Sequence, residues 1–290
     1  RWASVGIISE PNAHPVNGEE IAGGSDSVSV AVLNGDVDNH ADLKVRHNLR
    51  FADPITTDAK VIPALVDRGR LGGASSLDAF LNAVTQFEGS VAIGYCSADE
   101  PGEMYLALNG SGQGLYVGLA EDRFIVASET YGTVEETLQY IRLDGETPLH
   151  KDQPSSRGQV VRLSQAGAGT LDGISMYAYD GTPIPLSAAD VHIAEVTTRD
   201  IDRGDAPHFL LKEIREAPRS FRKTIRGRTV ENNGLLVPEL DEFTLPSAVV
   251  EKIRSGVIKR IRIIGQGTAA VAGTSLVPVL GSLLDSSIHV

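Results

Sequence analysis

With 290 residues and a mass of 30.8 kDa, the chain can bury a sizeable core in one large domain or two smaller ones. Its formal net charge of −12 argues against nucleic acid or an anionic membrane as the main partner, since both repel an acidic surface. The single cysteine, Cys96, excludes an internal disulfide framework and suits the cytoplasm, and no apolar run approaches the roughly 20 residues of a membrane helix.

Short strands are predicted throughout the first two-thirds of the chain, because runs rich in β-branched and aromatic residues are bounded there by Gly, Asn, Asp or Ser. The predicted strands are residues 28–33, 90–95, 104–108, 115–119, 123–127 and 159–163. Helices are predicted at 58–68 and 76–87, the second with Ser75 or Ser76 as its cap. Closely spaced strands with interposed helices indicate an α+β fold with antiparallel sheets.

The pattern changes after about residue 204. Residues 206–228 are predicted to be helical, with an apolar stripe opposite a basic face that we interpret as solvated. Pro218 should break this helix or open a second one. Residues 232–246 are interpreted as a polar connector, so the predicted parts are 1–205, a helical linker at 206–245, and 246–290.

A glycine-rich loop lies between a predicted strand at 260–264 and a predicted helix that starts at Ala269. Backbone N–H groups at such a loop and helix N-terminus suit a phosphate. The alternative is a plain strand-to-helix turn, because the spacing of a dinucleotide fingerprint is not met cleanly.

The most informative motif is Asn34-Gly35, at the end of the strand predicted at 28–33. An Asn side chain and a Gly N–H at a strand end can hold an oxyanion, although Asn-Gly is also the commonest tight hairpin turn. Arg1 and Asp58 would suit the carboxylate and ammonium of a free amino acid. For Asp58 the alternative is an acid favoured by the dipole at a helix N-terminus.

Several segments in order, RWAS…PNAHP, VAVLNG…NH, TTDAKVIPALV, HFLLKEIREAPRSFRKTIRGR and RIRIIGQGTAAVAG, extend this pattern over essentially the whole chain. Together they resemble the family of glutamine–fructose-6-phosphate aminotransferases, also called glucosamine-6-phosphate synthases. The resemblance implies a glutamine amidotransferase domain with the four-layer αββα sandwich of N-terminal-nucleophile hydrolases, here incomplete. The first strand and helix of an α/β sugar-isomerase domain would follow.

The resemblance also implies roles for residues in glutamine binding. Arg1 would take the α-carboxylate and Asp58 the α-ammonium, while Asn34 and Gly35 would hold the oxyanion formed when a thiolate attacks the side-chain amide. Trp2 resembles the residue that blocks or opens the ammonia route, with simple packing as the alternative.

The resemblance also gives roles to three residues whose surroundings depart from the family pattern. Ser4 would bind glutamine, although Ser4-Val5 stands where the family usually has Thr-His. Gly267 and Thr268 would bind the sugar phosphate, although the family's Cys-Gly-Thr-Ser is Gln266-Gly267-Thr268-Ala269 here.

The implied reaction is hydrolysis of glutamine to glutamate and ammonia. The ammonia would pass to an isomerase site that converts fructose 6-phosphate to glucosamine 6-phosphate, with no metal or organic cofactor. The implied assembly is a homodimer formed through isomerase domains. The alternatives are another class II amidotransferase, such as an amidophosphoribosyltransferase, and a non-catalytic relative that senses glutamine or serves assembly.

The family's nucleophile is an N-terminal cysteine, whereas residue 1 here is Arg. We therefore expect a fragment of a longer enzyme that has no glutaminase activity by itself. Cys96 lies in an apolar strand run and is expected to be a buried core thiol, not a nucleophile.

Overall fold

The computed structural model describes residues 5–21, 28–195, 203–239, 241–265, 268–284 and 287–290, without the side chains of 268 and 269. The chain divides into two compact units, Arg1–Asp202 and Arg203–Val290. The predicted division at 205 and 245 stays a prediction. Each unit is described by itself below.

The first unit contains a large antiparallel sheet with strand order β1-β2-β3-β4-β8-β9-β10. Its strands are β1 (Val16–Asn17), β2 (Ser29–Gly35), β3 (Val91–Ser97), β4 (Glu103–Asn109), β8 (Gln159–Ser164), β9 (Ile174–Ala178) and β10 (Pro183–Ile184). A smaller antiparallel sheet has the order β11-β7-β5-β6. It consists of β5 (Tyr116–Leu119), β6 (Phe124–Ala127), β7 (Gln139–Arg142) and β11 (His192–Ile193).

The α-helices among the described residues of this unit are α1 (His40–Arg46), α2 (Val61–Leu71) and α3 (Ser76–Val84), with a 3₁₀ turn at Asp58–Lys60 before α2. Ser75 caps α3, because its hydroxyl accepts a hydrogen bond from the Asp78 N–H at 3.1 Å. This cap was one of the two predicted from the sequence.

Two apolar clusters fill the unit, one on each face of the large sheet. Successive residues of a strand point to opposite faces, so Ile93 packs with α2 and α3 while its neighbour Ala92 packs with the small sheet. The layers are therefore helices, large sheet and small sheet. This arrangement confirms the predicted α+β class with antiparallel sheets.

All six predicted strands of this unit are confirmed to within two residues at either end. Five of them contain buried residues, whereas all four residues of β6 are half-buried. Both predicted helices are confirmed too, although residues 58–60 form a 3₁₀ turn and α3 ends at Val84. Strands β1, β7, β9, β10 and β11 and helix α1 were not predicted.

The second unit contains α4 (Phe209–Ile225), the hairpin of β12 (Thr229–Asn232) and β13 (Leu235–Pro238), α5 (Ser247–Arg254) and α6 (Thr268–Leu283). Two expectations were wrong. Helix α4 runs through Pro218 without interruption, and the supposed connector holds most of a β-hairpin.

The predicted strand at 260–264 is reduced to a single parallel bridge between Arg260 and His289. Ile263 is 36% exposed and Ile264 91% exposed, so this segment lacks the two buried faces of a central parallel strand. The helix predicted from Ala269 is confirmed and begins at Thr268.

Candidate functional site

The motif Asn34-Gly35 forms the last two residues of β2. Asn34 lies opposite Ala92 and Gly35 opposite Val91, at the start of β3. Because β2 pairs here with a strand far downstream, Asn34-Gly35 is not a hairpin turn. Asn34 is exposed and Gly35 half-buried, so the strand ends at the surface.

The backbone at Gly35 requires glycine. Its φ is +118°, and an added Cβ would lie 2.0 Å from the carbonyl oxygen of Ser90. The following residue, Asp36, donates its N–H to that same oxygen at 3.0 Å. The close approach of two backbone segments therefore determines the conformation of the strand end.

Asp58 lies next to this strand end although it comes from another segment. It is 2% exposed and begins the 3₁₀ turn before α2. Its Oδ2 accepts a hydrogen bond from the Val37 N–H at 2.8 Å, two residues after Gly35. The carboxylate thus accepts a hydrogen bond from the segment that follows β2. Its role is therefore not limited to the favourable interaction of an acid with a helix N-terminus.

The second oxygen of Asp58 is less engaged. Within the described residues, Oδ1 accepts a hydrogen bond from the Thr57 hydroxyl at a long 3.4 Å. A buried carboxylate needs strong partners, so Oδ1 is the atom with capacity for an ammonium donor.

Asn12 fastens the segment that carries Asp58, a role that the sequence analysis missed. Its Oδ1 accepts from the Thr56 and Thr57 N–H groups at 2.7 and 3.0 Å. Its Nδ2 donates to the carbonyl of Pro54 and the hydroxyl of Ser9, both at 2.8 Å. The motif PNAHP was its sequence signal, but no local pattern shows which segment the amide holds.

Lys60 is the second residue that sequence reasoning missed. It is 2% exposed and donates from Nζ to the backbone and side-chain oxygens of Asn17 at 2.8 and 2.6 Å. Burial lowers the pKa of the Lys60 ammonium, and the negative charges of Glu19 and Glu20 partly offset this effect. This contact holds the end of β1 against the turn that begins with Asp58.

Most of the remaining predicted site residues lie in segments that the structure does not describe. Arg1, Trp2, Ser4 and Gly267 lie outside the described residues. Thr268 is the first residue of α6, in the second unit, and its side chain is not described. The structure therefore brings together Asn34, Gly35 and Asp58, and the roles of the others stay predictions.

Cys96 does not belong to this group. It lies on β3 opposite Val30, four residues beyond Ala92 and hence about 13 Å along the strand from the Asn34 position. Its thiol is half-buried beside a cavity of about 430 Å³. The prediction of a buried core thiol is therefore wrong. The distance of Cys96 from Asn34 excludes it as a nucleophile at that position.

Two further observations bear on the kind of site. In the part of the chain that the structure describes, no group of three or more His, Cys, Asp or Glu side chains could hold a metal ion. Over the same residues, none of the helices combines the length and apolarity needed to cross a bilayer.

Comparison with known proteins gives relatives along the full chain, although no family model matches it. The glutamine–fructose-6-phosphate aminotransferase (isomerizing) of Streptococcus mutans is 28% identical over 293 residues, covering 100% of this chain and 41% of the relative. Its counterpart in Bacillus subtilis is 30% identical over 274 residues, covering 94% of this chain and 39% of the relative.

Among solved structures, the glutamine phosphoribosylpyrophosphate amidotransferase of B. subtilis matches 62% of this chain and 33% of its own. The TM-score is 0.44 at 21% identity. The chain spans about two-fifths of the length of its curated relatives. The sequence relatives confirm the resemblance over the whole chain, which is related to the glutamine–fructose-6-phosphate aminotransferases (isomerizing).

Proposed function

We propose that the unit Arg1–Asp202 binds free L-glutamine and forms the glutamine amidotransferase part of an enzyme that makes glucosamine 6-phosphate from fructose 6-phosphate. The observation that carries this proposal is the hydrogen bond between the Val37 N–H and Asp58. It joins the carboxylate suited to an α-ammonium to the strand end suited to an oxyanion.

In this proposal the charges of the site select a free amino acid. Asp58 takes the α-ammonium with Oδ1, and Arg1 takes the α-carboxylate as a two-pronged pair. A peptide-linked glutamine lacks both charges and is rejected. Trp2 and Ser4 belong to the same glutamine-binding loop.

The side-chain amide of glutamine would then lie at the end of β2. The Asn34 amide and the Gly35 N–H stabilise the oxyanion that forms when a thiolate attacks the amide carbon. Loss of ammonia leaves a thioester, which water hydrolyses to glutamate. The attacking thiolate is a separate requirement that Cys96 does not meet, so the chain alone should show no glutaminase activity.

The proposal also covers the second substrate, the assembly and the cellular location of the enzyme. Ammonia passes to a sugar-isomerase site, where Gly267 and Thr268 contact the phosphate of fructose 6-phosphate. The assembly is a homodimer formed through isomerase domains. The single cysteine fits a cytoplasmic location.

Isothermal titration of the chain with L-glutamine tests the amino-acid site, using Asp58→Asn as the variant. The new amide can still accept from the Val37 N–H, so the fold should be kept while the negative charge is lost. We expect glutamine affinity to fall by about 10- to 100-fold, the effect of losing one charge-assisted hydrogen bond.

The matched control is Asp180→Asn, because Asp180 also accepts a backbone N–H, that of Thr182 at 3.0 Å, but lies in an exposed turn. This variant should bind glutamine normally. No binding by the wild-type chain, or equal binding by Asp58→Asn, would overturn the proposed function.

A further inference from the structure

Two segments that are separate in sequence form one hydrogen-bonded unit beside Asp58. The first is residues 6–12 and the second is residues 54–57. Besides the four side-chain hydrogen bonds of Asn12 described above, the Ile7 N–H donates to the Thr56 hydroxyl at 2.9 Å. Gly6 also packs against Thr56, since a Cβ at Gly6 would lie 2.9 Å from the Thr56 carbonyl.

From this geometry we infer that Asn12 is a positioning residue that holds the Asp58 carboxylate in the orientation required by the α-ammonium of the substrate. The inference rests on the proposed function and deepens it. Asn12 itself is 1% exposed and acts through Thr56 and Thr57. It is not expected to touch glutamine.

The hydrogen bonds of Asn12 explain how it can fix the backbone that leads into Asp58. Its amide donates twice and accepts twice, which uses both N–H donors and both lone pairs of the oxygen. Such an amide cannot rotate without breaking several bonds. The two N–H groups that it accepts belong to the residues directly before Asp58.

Asp58 is therefore held from two sides. Asn12 holds the backbone that leads into it, and the Val37 N–H holds its Oδ2. With both anchors in place, Oδ1 can point in only one direction. If the Asn12 amide is removed, the Thr56 and Thr57 N–H groups lose this acceptor, and the turn can relax to form other hydrogen bonds.

The inference predicts a loss that is specific to the α-amino group. The probes are L-glutamine and 5-amino-5-oxopentanoic acid, which keeps the carboxylate and side-chain amide but lacks the α-amino group. Both are titrated into the full chain, and the readout is the ratio of their affinities. A merely structural role of Asn12 would leave this ratio unchanged in the folded protein.

For Asn12→Ala we expect the preference for glutamine over the analogue to fall about tenfold, while affinity for the analogue stays the same. In the Asp58→Asn background, Asn12→Ala should cause no further fall, because the two residues act on one contact. Thr56→Val removes only an exposed hydroxyl bond and should lower the same ratio about threefold, even if Asn12→Ala does not fold.

The matched control is Asn39→Ala. Asn39 is 9% exposed, and its amide also joins two segments, with Nδ2 donating to the Gln86 carbonyl at 2.9 Å and Oδ1 accepting from the Glu88 N–H at 3.1 Å. Its loss should reduce stability without changing the ratio.

The outcomes separate the inference from the proposed function. Equal losses for both ligands in Asn12→Ala, or no change in the ratio for Thr56→Val, would overturn the positioning role. The proposed function would stand in that case if wild type prefers glutamine and Asp58→Asn abolishes the preference. A wild-type chain without this preference would overturn both.

Discussion

Replacement of Gly35 by alanine should be among the most damaging single-methyl changes in this protein. The added Cβ would lie 2.0 Å from the Ser90 carbonyl oxygen and 3.2 Å from the Val91 Cα. Non-bonded heavy atoms in contact lie about 3.5–4 Å apart, and here both partners are backbone, so a side-chain rotation cannot relieve the clash.

The expected cost has two parts. A non-glycine residue at φ +118° costs about 1–3 kcal/mol of backbone strain. Moving Ser90 away also weakens the Asp36 N–H to Ser90 O hydrogen bond of 3.0 Å, a further loss of about 1 kcal/mol. We therefore expect Gly35→Ala to lower the free energy of unfolding by about 3 kcal/mol or more.

Urea unfolding followed by circular dichroism measures this cost, with peptide-level hydrogen exchange of β2 and β3 to assign the transition to the first unit. The matched control is Gly181→Ala, whose φ is +84° but whose Cβ would meet nothing within 4 Å. It should show only the backbone strain. If Gly35→Ala costs no more than Gly181→Ala, the close approach to Ser90 is not what requires glycine.

Two further predictions concern stability. Burial raises the pKa of Tyr95 to about 12, so between pH 10 and 12 the unfolded chain loses this proton while the folded chain keeps it. The contribution of Tyr95 to the free energy of unfolding should therefore be complete below pH 10 and fall by about 1.4 kcal/mol per pH unit between pH 10 and 12. In urea unfolding, Tyr95→Phe should show a correspondingly shallower decline over this range. Ser75→Ala removes the cap of α3 and should lower the free energy of unfolding by about 1 kcal/mol, whereas Ser75→Asp should retain most of it; equal loss in both variants would contradict the capping role.

The dipeptide Asn-Gly shows how far sequence alone could go. At Asn233-Gly234 both residues have positive φ, 51° and 78°, and they connect β12 to β13 as a two-residue hairpin turn. At Asn34-Gly35 the same dipeptide ends a strand whose partner begins at Val91. The local residues are identical, so the choice of partner strand decides between the two structures, and that choice is a long-range property.

Long-range contacts also explain the residues that were missed. Asn12 and Lys60 have no periodic or spaced pattern around them, and their roles depend on backbone groups more than 40 positions away in sequence. The strands with buried faces, by contrast, were predictable, because a buried strand face requires apolar residues in a regular pattern within a short segment. The prediction of a break at Pro218 was wrong. It considered only the backbone hydrogen bond that a proline removes, whereas the turns on both sides of Pro218 remain helical.

The ends of the large sheet have a consequence for how copies of this chain behave at high concentration. Its two outermost strands, β1 and β10, are only two residues long, and β10 begins with Pro183, which has no N–H to donate. Very short edge strands give an incoming strand little backbone to pair with. Edge-to-edge aggregation of the first unit should therefore start at the four-residue strand β6 of the small sheet, and a charge placed there should suppress it more than one placed on β1 or β10.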